Sequence, residues 1–262
     1  MNTRSASPAH GAFVPTWITA FLDVSPLQWE AATDFWAAVT GSQRPPMRGE
    51  HHECVTLLPA DGDPVLRVQR LGTGPSRLHL DVHVGDRRAA ADAALALGAS
   101  EVADVGHVEL RSPGGMPFCF VHAGESRRPR QVRWLAPGGG RAHTSLVDQV
   151  ALDIPREHWE PELRFWSGLT GWAVRPSASE FAPLERPAGQ PLRLLGHRLD
   201  EQTGPVRAHL DLAASDRVAE TARHVALGAV VERRREQWTV LRAPDGRRYC
   251  VTDRDPETGV RG

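Results

Sequence analysis

The chain has 262 residues, 40% of them hydrophobic and 24% charged, with a formal net charge of −1. That length suits two ordinary domains better than one, and the balanced charge excludes bulk attraction to nucleic acid or an anionic membrane. No run approaches the ~18 apolar residues of a membrane span, and Cys54, Cys119 and Cys250 are odd in number and too scattered for a disulfide framework, so the expectation is a cytoplasmic protein.

Residues 1–14 mix Ser, Ala, Pro, His and Gly without an apolar h-region, and are expected to form a disordered tail rather than a signal peptide. Trp17 to Val24 reads as a strand. Ser25-Pro26 then supplies an N-cap and an N1 proline. Trp29, Ala32, Phe35, Trp36 and Val39 recur at threes and fours, which predicts a helix with one apolar face, stopped by Gly41. Strands follow at 53–58, 65–70 and 78–84. Asp86 caps a second helix over 87–97, ended by Gly98. Strands at 108–111 and 118–122 flank a Pro113-Gly114-Gly115 turn.

Residues 124–144 carry Arg128-Pro129-Arg130 and Pro137-Gly138-Gly139-Gly140, a linker composition. Strands are then expected at 149–154, near Phe181, and at 192–197, 207–213, 238–242 and 249–252, with helices at 158–169 and 216–227. The two basic runs, Arg127-Arg128 and Arg233-Arg234-Arg235, lack aromatic partners and are expected to be solvated surface.

The same elements occur twice because the sequence is duplicated. Leu22-Asp23, Trp29-Glu30, Phe35-Trp36, Thr40-Gly41, His79-Leu80-Asp81 and Leu97-Gly98-Ala99 each recur 130 residues later, and Leu110-Arg111 and Cys119 recur 131 residues later. Domain one is placed at 15–123 and domain two at 145–255. Strand groups after single helices favour an α+β layout over strict βαβ alternation.

Strand alternation sorts the faces. Leu80, Val82 and Val84 point to one side, and His79, Asp81 and His83 to the other. In the second copy Leu210 and Leu212 oppose His209 and Asp211. Val150, Leu152 and Ile154 oppose Gln149 and Asp153, and Tyr249 and Val251 oppose Cys250 and Thr252. A polar face inside a compact domain predicts a wet, concave ligand pocket. It is lined by His79, Asp81, His83, Cys119, Gln149, Asp153, His209, Asp211 and Cys250, with Trp238 on a late strand. His79–Asp81 and His209–Asp211 are each close enough for a carboxylate to orient an imidazole. The Trp29/Trp36 and Trp159/Trp166 pairs are expected to pack helix against sheet. No nucleophile elbow, P-loop or dinucleotide fingerprint is present.

The HLDVHVGD and HLDLAASD strands, the LALGA and VALGA helix ends, and the LRSPGGMPFCFV and LRAPDGRRYCVT hairpins resemble the glyoxalase-like branch of the vicinal oxygen chelate superfamily. The resemblance implies two tandem domains, each built from two βαβββ units whose sheet curls into a cup for a metal, a small substrate or a drug. By position, the family's metal ligands fall on Gln149, His197, His209 and Cys250 in copy two, an unusual mixed set. In copy one they fall on Thr19, Gln69, His79 and Cys119, a set too poor to hold a metal. Both copies have cysteine where metal-binding members carry a carboxylate.

Two readings stand. One is a small-molecule-binding protein without metal chemistry; the other is a lyase, isomerase or dioxygenase with one divalent metal in copy two acting as a Lewis acid. The two copies are expected to pair within one chain, as a monomer or homodimer. The sequence names no substrate.

Overall fold

Local signals place the helices. The computed structural model describes residues 15–49, 51–125, 127–135, 141–175 and 179–261; the expected tail at 1–14 and the glycine stretch at 137–140 lie outside them. Strand β1 (Trp17–Val24) runs into a one-turn 3₁₀ segment at Pro26–Gln28, which feeds α1 (Trp29–Thr40). The Ser25 hydroxyl bonds the Gln28 side chain at 3.1 Å rather than capping a backbone amide. Gly41 ends α1 with φ 62°, the left-handed conformation that a Cβ disfavours. Asp86 caps α2 (Arg87–Ala96) by accepting from the Arg88 and Ala89 amides.

Copy one continues with β2 (Cys54–Leu57), β3 (Leu66–Arg70), β4 (Arg77–Val84), β5 (Ser100–Asp104), β6 (Val108–Arg111) and β7 (Pro117–His122). Then comes β8 (Val132–Trp134), inside the expected linker. Copy two holds β9 (His143–Ile154), α3 (Trp159–Thr170), β10 (Phe181–Pro183), β11 (Arg193–Arg198), β12 (Arg207–Ala214), α4 (Arg217–Ala226), β13 (Val230–Arg234), β14 (Trp238–Arg242) and β15 (Arg248–Thr252). The sheets are ordered β2-β3-β1-β4-β7-β6-β5 and β10-β11-β9-β12-β15-β14-β13, so they repeat one topology, and both are open.

The α+β tandem architecture expected from the sequence is the one found. The second unit of each copy is a full βαβββ. In the first unit one strand has shrunk to isolated bridges, Gln43 to Leu58 and Arg48 to Cys54 in copy one, and Val174 to Leu184 in copy two. β5 and β13 carry no alternation signal: Ser100 to Asp104 are largely exposed, and so are Val230, Arg233 and Arg234. β9 begins six residues before Gln149 because β8 pairs with its extension.

The two copies interlock through their helices. Phe35 and Trp36 on α1 meet Tyr249 on β15 of the other copy, with ring centroids 5.9 and 5.1 Å apart. Reciprocally, Phe165 and Trp166 on α3 meet Phe118 on β7 at 5.6 and 5.5 Å. Each tryptophan indole donates to a buried carboxylate: Trp36 to Asp245 at 3.4 Å and Trp166 to Glu162 at 2.8 Å. Glu162 also accepts from the Ser112 hydroxyl and the Gly114 amide. Gly114 has to be glycine, because a Cβ there would lie 2.4 Å from Val206 and 2.9 Å from Glu162. The tryptophans thus pack helix against sheet as expected, but Trp36 and Trp166 do so across the duplication. One buried apolar cluster spans both copies.

Candidate functional site

The concave face of copy two collects the polar residues that alternation sent away from the core. Asp211 on β12 lies opposite Gln149 on β9 and Cys250 on β15, so three neighbouring strands present their polar residues at one level. His209 precedes Asp211 by two residues on the same face. Asp153 on β9 lies opposite His197 on β11.

A single carboxylate organises the imidazoles. Asp153 bonds Nδ1 of His197 at 2.7 Å and Nδ1 of His209 at 2.8 Å, one through each oxygen. Burial by itself would raise the Asp153 pKa, but the two imidazoles reverse this and hold it well below the usual carboxylate range. Burial would likewise discharge His209, yet Asp153 and Asp211 keep its pKa well above the ordinary value. His209 Nε2 faces Asp211 Oδ1 at 3.4 Å. The other Asp211 oxygen accepts from Gln149 at 2.5 Å and lies 3.7 Å from Arg254. Asp211 Oδ1 is buried with no well-formed hydrogen bond. Burial, and then the Asp211 charge, push the Cys250 thiol up, so it is protonated at neutral pH.

His209, Asp211 and Cys250 place their ligand atoms within 4.8 Å of one another, the spacing of a metal site. His197 stands outside this group, tied to Asp153, and Gln149 donates its amide N–H to Asp211. Beside His197 the wall is aromatic: Phe181 stacks on it at 5.0 Å and meets the edge of Trp238 at 5.7 Å.

Copy one repeats the core of this arrangement. His79 Nδ1 lies 2.9 Å from Asp23, the counterpart of Asp153, and His79, Asp81 and Cys119 form a second cluster within 4.8 Å. The register also pairs Asp23 with Gln69 as it pairs Asp153 with His197, so Gln69 and His197 are equivalent positions. The closer partner of each histidine is therefore the aspartate across the strand; Asp81 lies 3.8 Å from His79.

The two cups differ in what fills them. Phe21 stacks on His79 at 4.4 Å, and the Arg67 guanidinium lies 5.4 Å from the centre of the same ring. Glu125 then bonds Arg67 at 2.9 Å and lies 2.9 Å from His83, whose other nitrogen is 3.0 Å from the Thr19 hydroxyl. Copy two has Ala151 where copy one has Phe21, and Leu195 where it has Arg67. Inspection of the sequence missed Phe21, Asp23, Arg67, Glu125 and Phe181. The repeated Leu-Asp at 22–23 and 152–153 was the available signal for Asp23; nothing local marked Glu125.

The family described as glyoxalase-like domain matches residues 20–121 and 149–252. No curated protein matches the chain. Solved structures share the fold at low identity. A mutant of 4-hydroxymandelate synthase from Streptomyces coelicolor has TM-score 0.62 and 17% identity over 95% of this chain and 94% of that one. An extradiol ring-cleaving dioxygenase from B. fuscum has TM-score 0.57 and 16% identity over 96% and 76%. The 2,2′,3-trihydroxybiphenyl 1,2-dioxygenase from Sphingomonas wittichii has TM-score 0.58 and 13% identity over 92% and 90%.

Proposed function

The chain belongs to the glyoxalase-like domain family, and from that premise we propose that the cup of copy two binds a small molecule without a resident metal. The observation that carries this reading is the exchange of Phe21 for Ala151. An aromatic ring occupies the first cup beside its histidine, and a methyl group stands at that point in the second. The open wall is built from His197, Phe181 and Trp238, which suits a planar ligand carrying an oxygen that an imidazole can hydrogen-bond. Burial holds Cys250 as the thiol, so a metal there would have to displace its proton.

A second reading follows from the same cluster. His209, Asp211 and Cys250 have the right types and spacing for a divalent ion, which would take the place of the loose 3.4 Å contact between His209 Nε2 and Asp211. Asp153 would then orient His209 from behind. Such an ion would supply Lewis-acid polarisation of vicinal substrate oxygens. That would make the protein a lyase, isomerase or dioxygenase.

Metal analysis of untagged protein separates the two. After reconstitution with zinc, nickel, manganese or iron(II), the expected result is less than stoichiometric metal in both the native chain and His209→Ala. Stoichiometric metal that disappears in His209→Ala overturns the metal-free reading. Ligand binding is read from the fluorescence response to catechol and related planar phenols. Trp238→Phe is expected to remove that response, and a response unchanged in this variant places the ligand elsewhere.

A further inference from the structure

Copy two holds a second concave feature, a cleft of about 370 Å³ between the β10–β11 hairpin and the turn at 255–259. Its lining includes Arg128, Arg175, Arg186 and Arg193 against a single carboxylate, Glu185. Glu185 is already taken, bonded by Arg175 at 3.2 Å on the exposed rim. Among the described residues no carboxylate forms an ion pair with Arg128, Arg186 or Arg193. The buried carboxylate whose field reaches Arg186 and Arg193 is Asp148, and Arg254 holds it at 2.7 Å. Arg128, half-buried here, is therefore not the solvated surface residue its basic run suggested.

The guanidinium groups are fixed rather than free. Arg128 donates to the carbonyls of Glu257 and Pro256 at 2.8 and 3.3 Å, Arg193 to that of Thr258 at 3.1 Å, and Arg186 to that of Gln190 at 2.8 Å. Neutral carbonyls orient these cations but leave their charge unbalanced. The Nε groups of Arg128 and Arg193 are buried and unpartnered. Burial, and then Arg128 and Arg193, push the Arg186 pKa down to about 10, which still leaves it cationic at neutral pH. Half-buried like charges with idle donors are costly unless something else completes them.

We propose that this cleft binds a small polyanion whose planar or tetrahedral oxyanion groups are taken by Arg128, Arg186 and Arg193. Guanidinium forks match carboxylate and phosphate oxygens in pairs, and the volume lies in the range of small-molecule sites. The shared chemistry is a cluster of oxyanion oxygens, supplied either by an organic phosphate or by a polycarboxylate. The cleft is separate from the His197, Phe181 and Trp238 wall: Arg193 pairs with Gln149 at the near edge of the cup but lies four residues from His197 on β11, about 13 Å along the strand, and the test of the cleft uses neither the metal nor the Trp238 signal.

The test is calorimetric titration of the full chain with pyrophosphate and, separately, with citrate, at low salt. At least one should bind, the affinity should fall as sodium chloride is raised, and binding should raise the Tm. Arg186→Gln and Arg193→Gln should each weaken binding at least tenfold. Arg193→Lys keeps the charge but loses the fork, and should weaken it less than Arg193→Gln. Pyrophosphate binding alone assigns the site to phosphates, and citrate binding alone to polycarboxylates. If either glutamine variant fails to fold, Arg193→Lys and the salt dependence still decide. Absence of binding by the native chain at millimolar concentration overturns the proposal, as does binding that is indifferent to salt or to every variant that folds.

Discussion

Asp153 serves two imidazoles with one carboxylate, and its loss has a calculable consequence. Asp153→Asn leaves His209 beside a neutral amide while still half-buried against Asp211. Leaving this half-buried charge without its partner is expected to cost about 1–3 kcal/mol, read by urea denaturation at pH 7. The depressed Asp153 pKa sets the sign: its contribution is present above the unfolded value near 4 and fades as pH falls toward the folded value. The raised His209 pKa sets the opposite limb, a contribution present below the unfolded value near 6.5 and lost as pH rises through the folded value. The gap between the native chain and Asp153→Asn is therefore expected to begin narrowing below about pH 4 and to go on narrowing as pH falls toward the folded value. At position 151 the prediction concerns shape. Ala151→Phe should block the second cup, abolishing the Trp238 response to phenols at an overpacking cost of about 1–3 kcal/mol. Survival of the full response would show that the ring at this position does not govern access. Alternation in β9 and β12 made these faces legible in the sequence, since Gln149, Asp153, His209 and Asp211 all fall on one side. The bonds themselves were not legible. Asp153 reaches His197 across 44 residues and His209 across 56, so spacing along a single strand pointed to Asp211 instead.

At the scale of elements, the helices were legible and their partners were not. Apolar periodicity located α1 and α3, and Asp86 and Asp216 marked the starts of α2 and α4. A period shows that one face of a helix is covered, but not which sheet covers it. Here α1 packs on β2 and β3 and α3 on β11 of their own copies, while Trp36 and Trp166 reach across to β15 and β7 of the opposite copy. Trp166→Ala should consequently remove packing from copy one as well as copy two. The expected cost is about 3–5 kcal/mol, with the near-ultraviolet signals of both copies lost together. The weak strands β5 and β13 escaped notice because their largely exposed residues show no alternation. β8 was hidden in a segment whose Arg and Gly content suggested only a linker, yet Trp134 bonds Ser145 at 2.8 Å and so fastens it to β9.

At the scale of the whole molecule, duplication has produced one core rather than two. The apolar cluster runs without a break from Trp17 to Val251. Denaturation should show a single transition, with calorimetric and van't Hoff enthalpies in agreement. Two resolved transitions would mean that the copies are energetically separate. A chain cut between them should give halves that are not stably folded alone, since each leaves Trp36 or Trp166 without the surface that covers it. No described helix is long and apolar enough to cross a membrane.

The indole-to-carboxylate bond across the duplication also sets a clock for synthesis. Asp245, which accepts from the Trp36 indole, is added to the chain 209 residues later. At translation rates of about 5–20 residues per second, the first copy waits about 10–40 s with Phe35 and Trp36 uncovered. During that interval the nascent protein presents an aromatic surface to chaperones and to other nascent chains. Its yield in the cell is then governed by the speed of the ribosome as well as by the stability of the finished fold.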